Sequence, residues 1–336
     1  SVPFESQQAD AMIAPRYAQF AILISLFAPV TLAAQDTGTQ TLRQICSLKS
    51  DGTDLQVLAK LPDSLAVNAP DISPDAKQIL FSSWDDEDGE SRENSRIARL
   101  NLSVGALASP LEFELGDGAM PSWSPRGKRI AFTRFSLSRG VWIMKSDSTG
   151  KVLLDSRGTN AKWAPNGHMI AYSRSVRGGR TIAIYDRVED RSFELWENSG
   201  SPFESIADCF AWSPDSSQLC LRARRPSEDT GEENQDSSQI VTMHIDDSAR
   251  LTTHETCEDG HLPAIAWHPD GKRIVFSKLA SDGKVTQLYE FTPATEDAAR
   301  LLPGQDATRD NSGVCWTRDG SRLIFVSTAA KGSKEP

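Results

Sequence analysis

The chain has 336 residues, of which 38% are hydrophobic and 24% charged, enough apolar matter for one large all-β domain or two ordinary ones and too much for a disordered chain. Its formal net charge is −10. That balance excludes sequence-independent nucleic-acid binding, which needs clustered Lys and Arg against phosphates, and docking on anionic lipid; a basic partner suits it better than an acidic one.

The first feature in chain order is MIAPRYAQFAILISLFAPVTLAAQ, starting at Met12. One Arg precedes an apolar run from Ala18 to Leu32, and small residues follow. This is the layout of a secretory signal peptide with cleavage after Ala33 or Ala34. A retained membrane anchor is the alternative, but the run is 15 residues long and interrupted by Pro29, against roughly 20 residues for a spanning helix. Residues 1–34 are therefore expected to be an N-terminal extension and a removed signal. Met12 is a candidate initiator, because Glu5 and Asp10 suit neither a signal's positive start nor a fold. The mature protein is expected to be periplasmic or secreted, with no stable membrane insertion after processing.

From Arg43, RQICSLKSDGTDLQVLA reads as two strands around a polar turn. One motif then recurs six times: PDISPDAKQILFS from Pro70, PSWSPRGKRIAFT from Pro121, AKWAPNGHMIAYS from Ala161, FAWSPDSSQLCLR from Phe210, IAWHPDGKRIVFS from Ile265 and VCWTRDGSRLIFV from Val314. The turn prolines are Pro74, Pro125, Pro165, Pro214 and Pro269, with Arg318 in the sixth position, giving spacings of 51, 40, 49, 55 and 49. A period near 49 with variable loops fits propeller blades. Pro presets φ at the first corner, Asp or Asn suits the next, and Gly accepts positive φ at the third. The apolar run that follows suits a strand buried on both faces. Trp123, Trp163, Trp212, Trp267 and Trp316 share one repeat position, where Ile72 stands in blade one. They read as a packing device between blades, in preference to ligand-stacking aromatics.

A second strand pair follows the hairpins, most clearly GVWIMKSDSTGKVLLD from Gly140 and RTIAIYDRVEDRSFELW from Arg180. Each blade is thus a four-stranded antiparallel meander, strands A to D. After the sixth A–B hairpin the chain runs out, while an unmatched C–D pair precedes the first. The fold expected is an all-β six-bladed β-propeller over residues 41–327, closed by N-terminal strands that complete the C-terminal blade, with hairpins near 70–82, 121–133, 161–173, 210–222, 265–277 and 314–326 and a tail at 328–336. Closure removes the sheet edges that an open array leaves bare.

These repeats resemble the PD40, or WD40-like, repeats of the TolB propeller family. The resemblance is carried by Trp123-Ser124-Pro125-Arg126-Gly127 with Val141-Trp142-Ile143-Met144, and partly by Ser47-Leu48-Lys49-Ser50-Asp51-Gly52-Thr53-Asp54-Leu55. It spans about residues 41 to 327 and implies a bacterial cell-envelope protein that acts through protein–protein interaction. TolB's separate N-terminal α/β domain has no counterpart between the expected cleavage site and the first strand, so functions of that domain do not carry over.

The sequence holds no GxSxG, HExxH, P-loop or GxGxxG motif, and no catalytic residue or cofactor is expected. His254, Cys257 and His261, in HETCEDGH between strand D and the next strand A, have residue types that suit Zn²⁺, with Glu255, Glu258 or Asp259 as a fourth ligand. A solvated polar loop explains them more simply. His168 and His268 are turn substitutions within the repeat and read as structural, while His244 on a strand is unassigned. Two alternatives stay open: a metal-dependent, polysaccharide lyase-like propeller enzyme, and a regulatory propeller that works with a separate hydrolase chain. The five cysteines form no CxxC and read as small buried strand residues. Cys46 and Cys315 fall on strands C and A of one blade, about 9.5 Å apart and beyond the roughly 7 Å limit for a disulfide.

Charge concentrates in two B–C insertions. Ser82 to Arg96 carries Asp85, Asp86, Glu87, Asp88, Glu90 and Glu93, net −4, and Pro226 to Gln239 carries Glu228, Asp229, Glu232, Glu233 and Asp236, net −5. In a meander these loops share one end of the channel with the D–A loop that holds Glu255, Glu258 and Asp259. They are either solvated insertions or a docking face through which a monomeric propeller meets a basic segment of a protein partner.

Overall fold

The structure, a computed structural model, describes residues 43–61, 64–85, 94–102, 115–136, 138–177, 179–197, 200–226, 237–247, 250–258 and 264–329. The apolar run from Ala18 to Leu32 and the expected signal peptide lie outside the described residues. No helix among the described residues is long and apolar enough to cross a membrane.

Their regular structure is β-strand throughout, in six antiparallel sheets. Blade one contains β3 (Leu65–Ile72), β4 (Gln78–Asp85) and β5 (Arg96–Asn101), and the place of its fourth strand lies outside the described residues. Blade two contains β6 (Ala119–Trp123), β7 (Arg129–Arg134), β8 (Gly140–Lys145) and β9 (Val152–Asp155). Blade three contains β10 (Gly158–Trp163), β11 (Met169–Val176), β12 (Gly179–Asp186) and β13 (Arg191–Glu194). Blade four contains β14 (Ser205–Trp212), β15 (Gln218–Arg224), β16 (Ser237–His244) and β17 (Leu251–Glu258). Blade five contains β18 (Ile265–Trp267), β19 (Ile274–Leu279), β20 (Thr286–Phe291) and the two-residue β21 (Arg300–Leu301).

Blade six joins the two ends of the propeller. Its order is β2 (Gln56–Leu61), β1 (Arg43–Lys49), β23 (Arg322–Ala329), β22 (Arg309–Trp316). β1 pairs with β23 in unbroken register from Arg43↔Thr328 to Lys49↔Arg322. Arg322 adds a side-chain clasp, donating to Ser47 Oγ at 3.0 Å, to Asp54 Oδ2 at 2.8 Å and to the Asp54 carbonyl at 2.7 Å. Cys46 and Cys315 share this blade with β23 between them, and both are buried free thiols.

Six apolar clusters lie between consecutive blades, one at each of the six junctions. Strand B explains how: Ile130 and Phe132 pack toward Leu80 and Ile97 of blade one, while Ala131 packs toward Trp163 and Tyr172 of blade three. A strand in this position is buried on both faces, which is why its sequence is apolar without alternation.

The repeat turn has one geometry in all six copies. Ala76, Gly127, Gly167, Ser216, Gly271 and Gly320 each have φ between +56° and +77°. Each donates its N–H to the carbonyl three residues earlier. The A strands reach further than the turn motif marks: β3 starts at Leu65 and β22 at Arg309, with a register shift partway along five of the six A strands. Ala69, Met120, Asn160 and Gly313 sit at these bulges with positive φ.

Candidate functional site

The A strands of all six blades line the propeller axis. The residue just before each repeat Trp, or before Ile72, contributes to a ring made of Asp71, Ser122, Lys162, Ala211, Ala266 and Cys315. With the Trp and turn-Pro positions and Arg318 they enclose a cavity of about 470 Å³ at the A–B turn end. Beneath it the axis narrows to about 50 Å³, lined by the bulge residues Ala69, Met120, Asn160 and Gly313 and by Lys162 and Asp208. A cavity of several hundred Å³, lined mostly by aromatic and apolar residue types with a few placed polar groups, is the usual form of a binding pocket.

The repeat Trp residues have two roles. Trp123, Trp163, Trp212 and Trp316 are buried against the preceding blade, in clusters with Leu80, Val141, Ala164 and Val275 respectively, while half-buried Trp267 packs against the cluster that holds Cys220. The same residues, with all five turn prolines, line the cavity. Trp212 Nε1 donates to the Lys162 carbonyl at 3.0 Å and Trp267 Nε1 to that of Gly271 at 3.2 Å. The Nε1 atoms of Trp123, Trp163 and Trp316 are buried without a partner among the described residues.

Two ring positions double as clasps between blades. Asp71 Oδ2 accepts the Trp123 N–H, and Ser122 Oγ accepts the Trp163 N–H at 3.2 Å. The bulges are held in a similar way, with Met120 N–H on Ser82 Oγ and Asn160 N–H on Thr133 Oγ1, both at 2.7 Å. Lys162 cannot accept a hydrogen bond and interrupts this series; its ammonium forms no hydrogen bond or ion pair among the described residues. Burial raises the Asp71 pKa from 3.8 to about 6, against the opposing pull of Lys162 and the Trp123 N–H. Burial also pushes up the Cys315 thiol, so this sulfur in the ring is not a ready nucleophile.

At the rim, Arg318 occupies the place of the turn Pro. Its guanidinium donates to the Pro125 carbonyl, reaching from blade six past blade one to blade two. In the constriction, Asp208 is ion-paired with Arg180 and accepts from Thr159 Oγ1 at 3.3 Å. The buried Asn160 Nδ2 beside it has no partner among the described residues.

The sequence-derived metal candidates are placed differently from their expectation. His254 and Cys257 lie within β17, not in a loop. His254 sits where the β16–β17 register shifts, between residues paired with Ile240 and Val241. Its Nε2 is 2.8 Å from Thr242 Oγ1, its ring lies 4.8 Å from that of Phe291, and burial lowers its pKa. These contacts give it a packing role between blades four and five. Cys257 pairs with Ser238 through its backbone, and its side chain and His261 lie outside the described residues. Among the described residues no group of three His, Cys, Asp or Glu is arranged to hold a metal. His268 is buried in the turn ring, 3.0 Å from the Gly320 carbonyl and edge-on to Trp316.

Of the acidic candidates, Asp85 is exposed at the end of β4. Asp86, Glu87, Asp88, Glu90, Glu228, Asp229, Glu232 and Glu233 lie outside the described residues. Glu255 is in β17 and is neutralised by Lys278 at 2.7 Å. Asp117 with Arg134, and Asp155 and Glu194 with Arg174, are matched in the same way.

No protein-family model matches the chain, and no curated protein does. Solved structures do. A protein assigned as TolB from Agrobacterium tumefaciens aligns with a TM-score of 0.64 at 17% identity, over 86% of this chain and 99% of the other. TolB from Acinetobacter baumannii aligns with a TM-score of 0.55 at 16% identity, over 86% of this chain and 65% of the other. A chain of a nidogen/laminin complex aligns with a TM-score of 0.53 at 12% identity, over 85% and 99%. The chain therefore carries the six-bladed β-propeller fold of TolB.

Proposed function

We propose that the chain is an exported protein–protein interaction module of the cell envelope, which receives a segment of its partner in the axial cavity. The observation that carries this reading is the cavity itself: about 470 Å³, walled by the Trp and Pro positions of the repeat. Aromatic and Pro-lined concavities bury extended segments at low entropic cost. The fold shared with TolB, and with a chain taken from a nidogen/laminin complex, supports a scaffold that meets other proteins. Export to the periplasm rests on the segment from Met12 to Gln35; intact mass of exported protein is expected to start at Ala34 or Gln35.

Ala211→Arg projects a long side chain from the ring into the cavity and tests the reading. Partner recovered from a periplasmic extract with the wild-type chain is expected to be lost with this variant at an unchanged melting temperature. Recovery undiminished would move the binding site off the axis. The acidic insertions are a second contact, for a basic part of the partner. Changing Asp85 to Asp88 to Ser is expected to slow association at low salt and to have little effect at high salt. A metal assay on the purified protein separates both readings from a metal-dependent lyase.

A further inference from the structure

Among the described residues that line the axial cavity, three are charged: Asp71, Lys162 and Arg318. The wall is thus net positive by one in a chain whose formal charge is −10. Asp71 is already engaged by the Trp123 N–H. Lys162 is the one charged residue that lines both the cavity and the constriction, and its ammonium attracts Asp71 but forms no hydrogen bond or ion pair among the described residues. Arg318 departs from the Pro of the other five turns and spends its guanidinium on a neutral backbone carbonyl, that of Pro125. A carboxylate is a stronger acceptor than that carbonyl, because the bond becomes charge-assisted and is able to form at two oxygens. One cation at the junction with the constriction and one at the rim, with indole and pyrrolidine rings between, form a receptor for a single anion on an apolar body.

The shape narrows the choice of anion. A cavity of about 470 Å³ accommodates a few residues entering from the rim, and the pocket beneath it offers only about 50 Å³ more. We infer that the axial cavity takes the C-terminal end of a partner chain, with its α-carboxylate drawn in by the positive charge of Lys162 and Arg318 and its last side chains against the Trp ring. This specifies the occupant of the cavity proposed above and rests on that proposal.

The test uses the propeller labelled with ¹⁵N at Trp, so that the unpartnered indole N–H groups of Trp123, Trp163 and Trp316 report on the cavity. Three pools of N-acetylated tetrapeptides are compared: free C-terminal acids, the same peptides amidated, and amidated peptides ending in Glu. The free acids are expected to shift these resonances and to bind roughly tenfold or more tightly than the amides, as one charge-assisted hydrogen bond provides. Arg318→Pro, which restores the repeat residue, and Lys162→Gln are each expected to remove most of that preference without lowering the melting temperature. Equal binding of acids and amides overturns the carboxylate receptor and leaves the cavity as a binding site. Equal binding of free acids and Glu-amides overturns the chain terminus in favour of an acidic side chain. Silence of the indoles toward all three pools overturns both this inference and the axial reading beneath it.

Discussion

The Trp123 N–H donates to Asp71 Oδ2, so the carboxylate that faces the channel from blade one also fastens blade two. Burial raises this carboxyl from 3.8 to about 6. The folded state therefore binds the proton more tightly than the unfolded state, and stability falls as pH rises from about 4 to about 6. The loss is complete above the folded pKa and absent below the unfolded one. Asp71→Asn keeps an acceptor for the Trp123 N–H and removes the buried charge. It is expected to match the wild type near pH 4 and to exceed it above pH 6, by at most about 3 kcal/mol. Urea melts across that range decide it, and a difference that does not vary with pH refutes the assignment.

The turn ring offers a prediction with two signs. Ala76 holds φ +56° where four of the six copies have Gly. Ala76→Gly removes the left-handed strain, about 1–2 kcal/mol, at an entropic cost of about 0.5–1 kcal/mol, and is expected to raise stability slightly. Gly320→Ala has the opposite sign: φ is +69°, and a Cβ there meets the His268 ring at 2.7 Å. A loss of about 1–3 kcal/mol is expected. Thermal melts of the two variants are enough, and a gain for Gly320→Ala contradicts the shared turn geometry.

Much of this architecture was legible in the residues. Pro, Asp and Gly at a fixed phase specify the turn, an apolar run buried on both faces specifies strand B, and the unmatched strand pair from Arg43 specifies the closure. The bulges were not legible, because Ala69, Met120, Asn160 and Gly313 share a backbone conformation and no side-chain chemistry. The N–H groups of Met120 and Asn160 are held by hydroxyls of the preceding blade, Ser82 and Thr133, which no local pattern announces. The channel ring was hidden for a related reason. Asp71, Ser122, Lys162, Ala211, Ala266 and Cys315 face a lumen, where packing imposes no common residue type. The Trp positions were visible as inter-blade packing, but their second role at the cavity depends on strand A lying innermost. HETCEDGH read as a loop because its polar residues outnumber its apolar ones. Its first part is instead the edge strand β17, with two further threonines, Thr252 and Thr253, just upstream of His254 and Thr256 within it.

Closure makes the N-terminal strands essential to the ring. Deleting Arg43 to Ala59 strips β23 of its partner β1 and opens an edge along Arg322–Thr328. The whole propeller is expected to lose cooperative unfolding, not merely to lose a tail. Arg322→Ala tests the clasp alone: it removes donors from Ser47 Oγ and from two Asp54 oxygens, and a lower melting temperature is expected. An unchanged melting temperature for the deletion would count against a closed ring.

Blade five has a different weakness, and one side chain covers it. Its outer strand β21 is two residues long, so most of β20 has no partner strand on that side. Gln305 substitutes for the missing strand with its amide. Its Oε1 accepts the Leu288 N–H at 2.9 Å and its Nε2 donates to the Leu288 carbonyl at 2.8 Å, the paired pattern of an antiparallel ladder. Nε2 also reaches the Leu302 carbonyl at 2.7 Å. Leu288 is fully buried, so water does not readily replace these bonds. Gln305→Ala is expected to cost about 1–3 kcal/mol by leaving the Leu288 N–H unpaired and weakening the hold on its carbonyl. Gln305→Glu should cost more, since a carboxylate accepts the N–H but sets two oxygens against the carbonyls that Nε2 now serves. Hydrogen exchange separates this from a general loss of stability. The Leu288 amide is expected to exchange faster in Gln305→Ala by a larger factor than the amides of β11 in blade three, which has a partner strand on both sides. Uniform acceleration across both blades would show that Gln305 acts on the fold as a whole and not as a substitute strand.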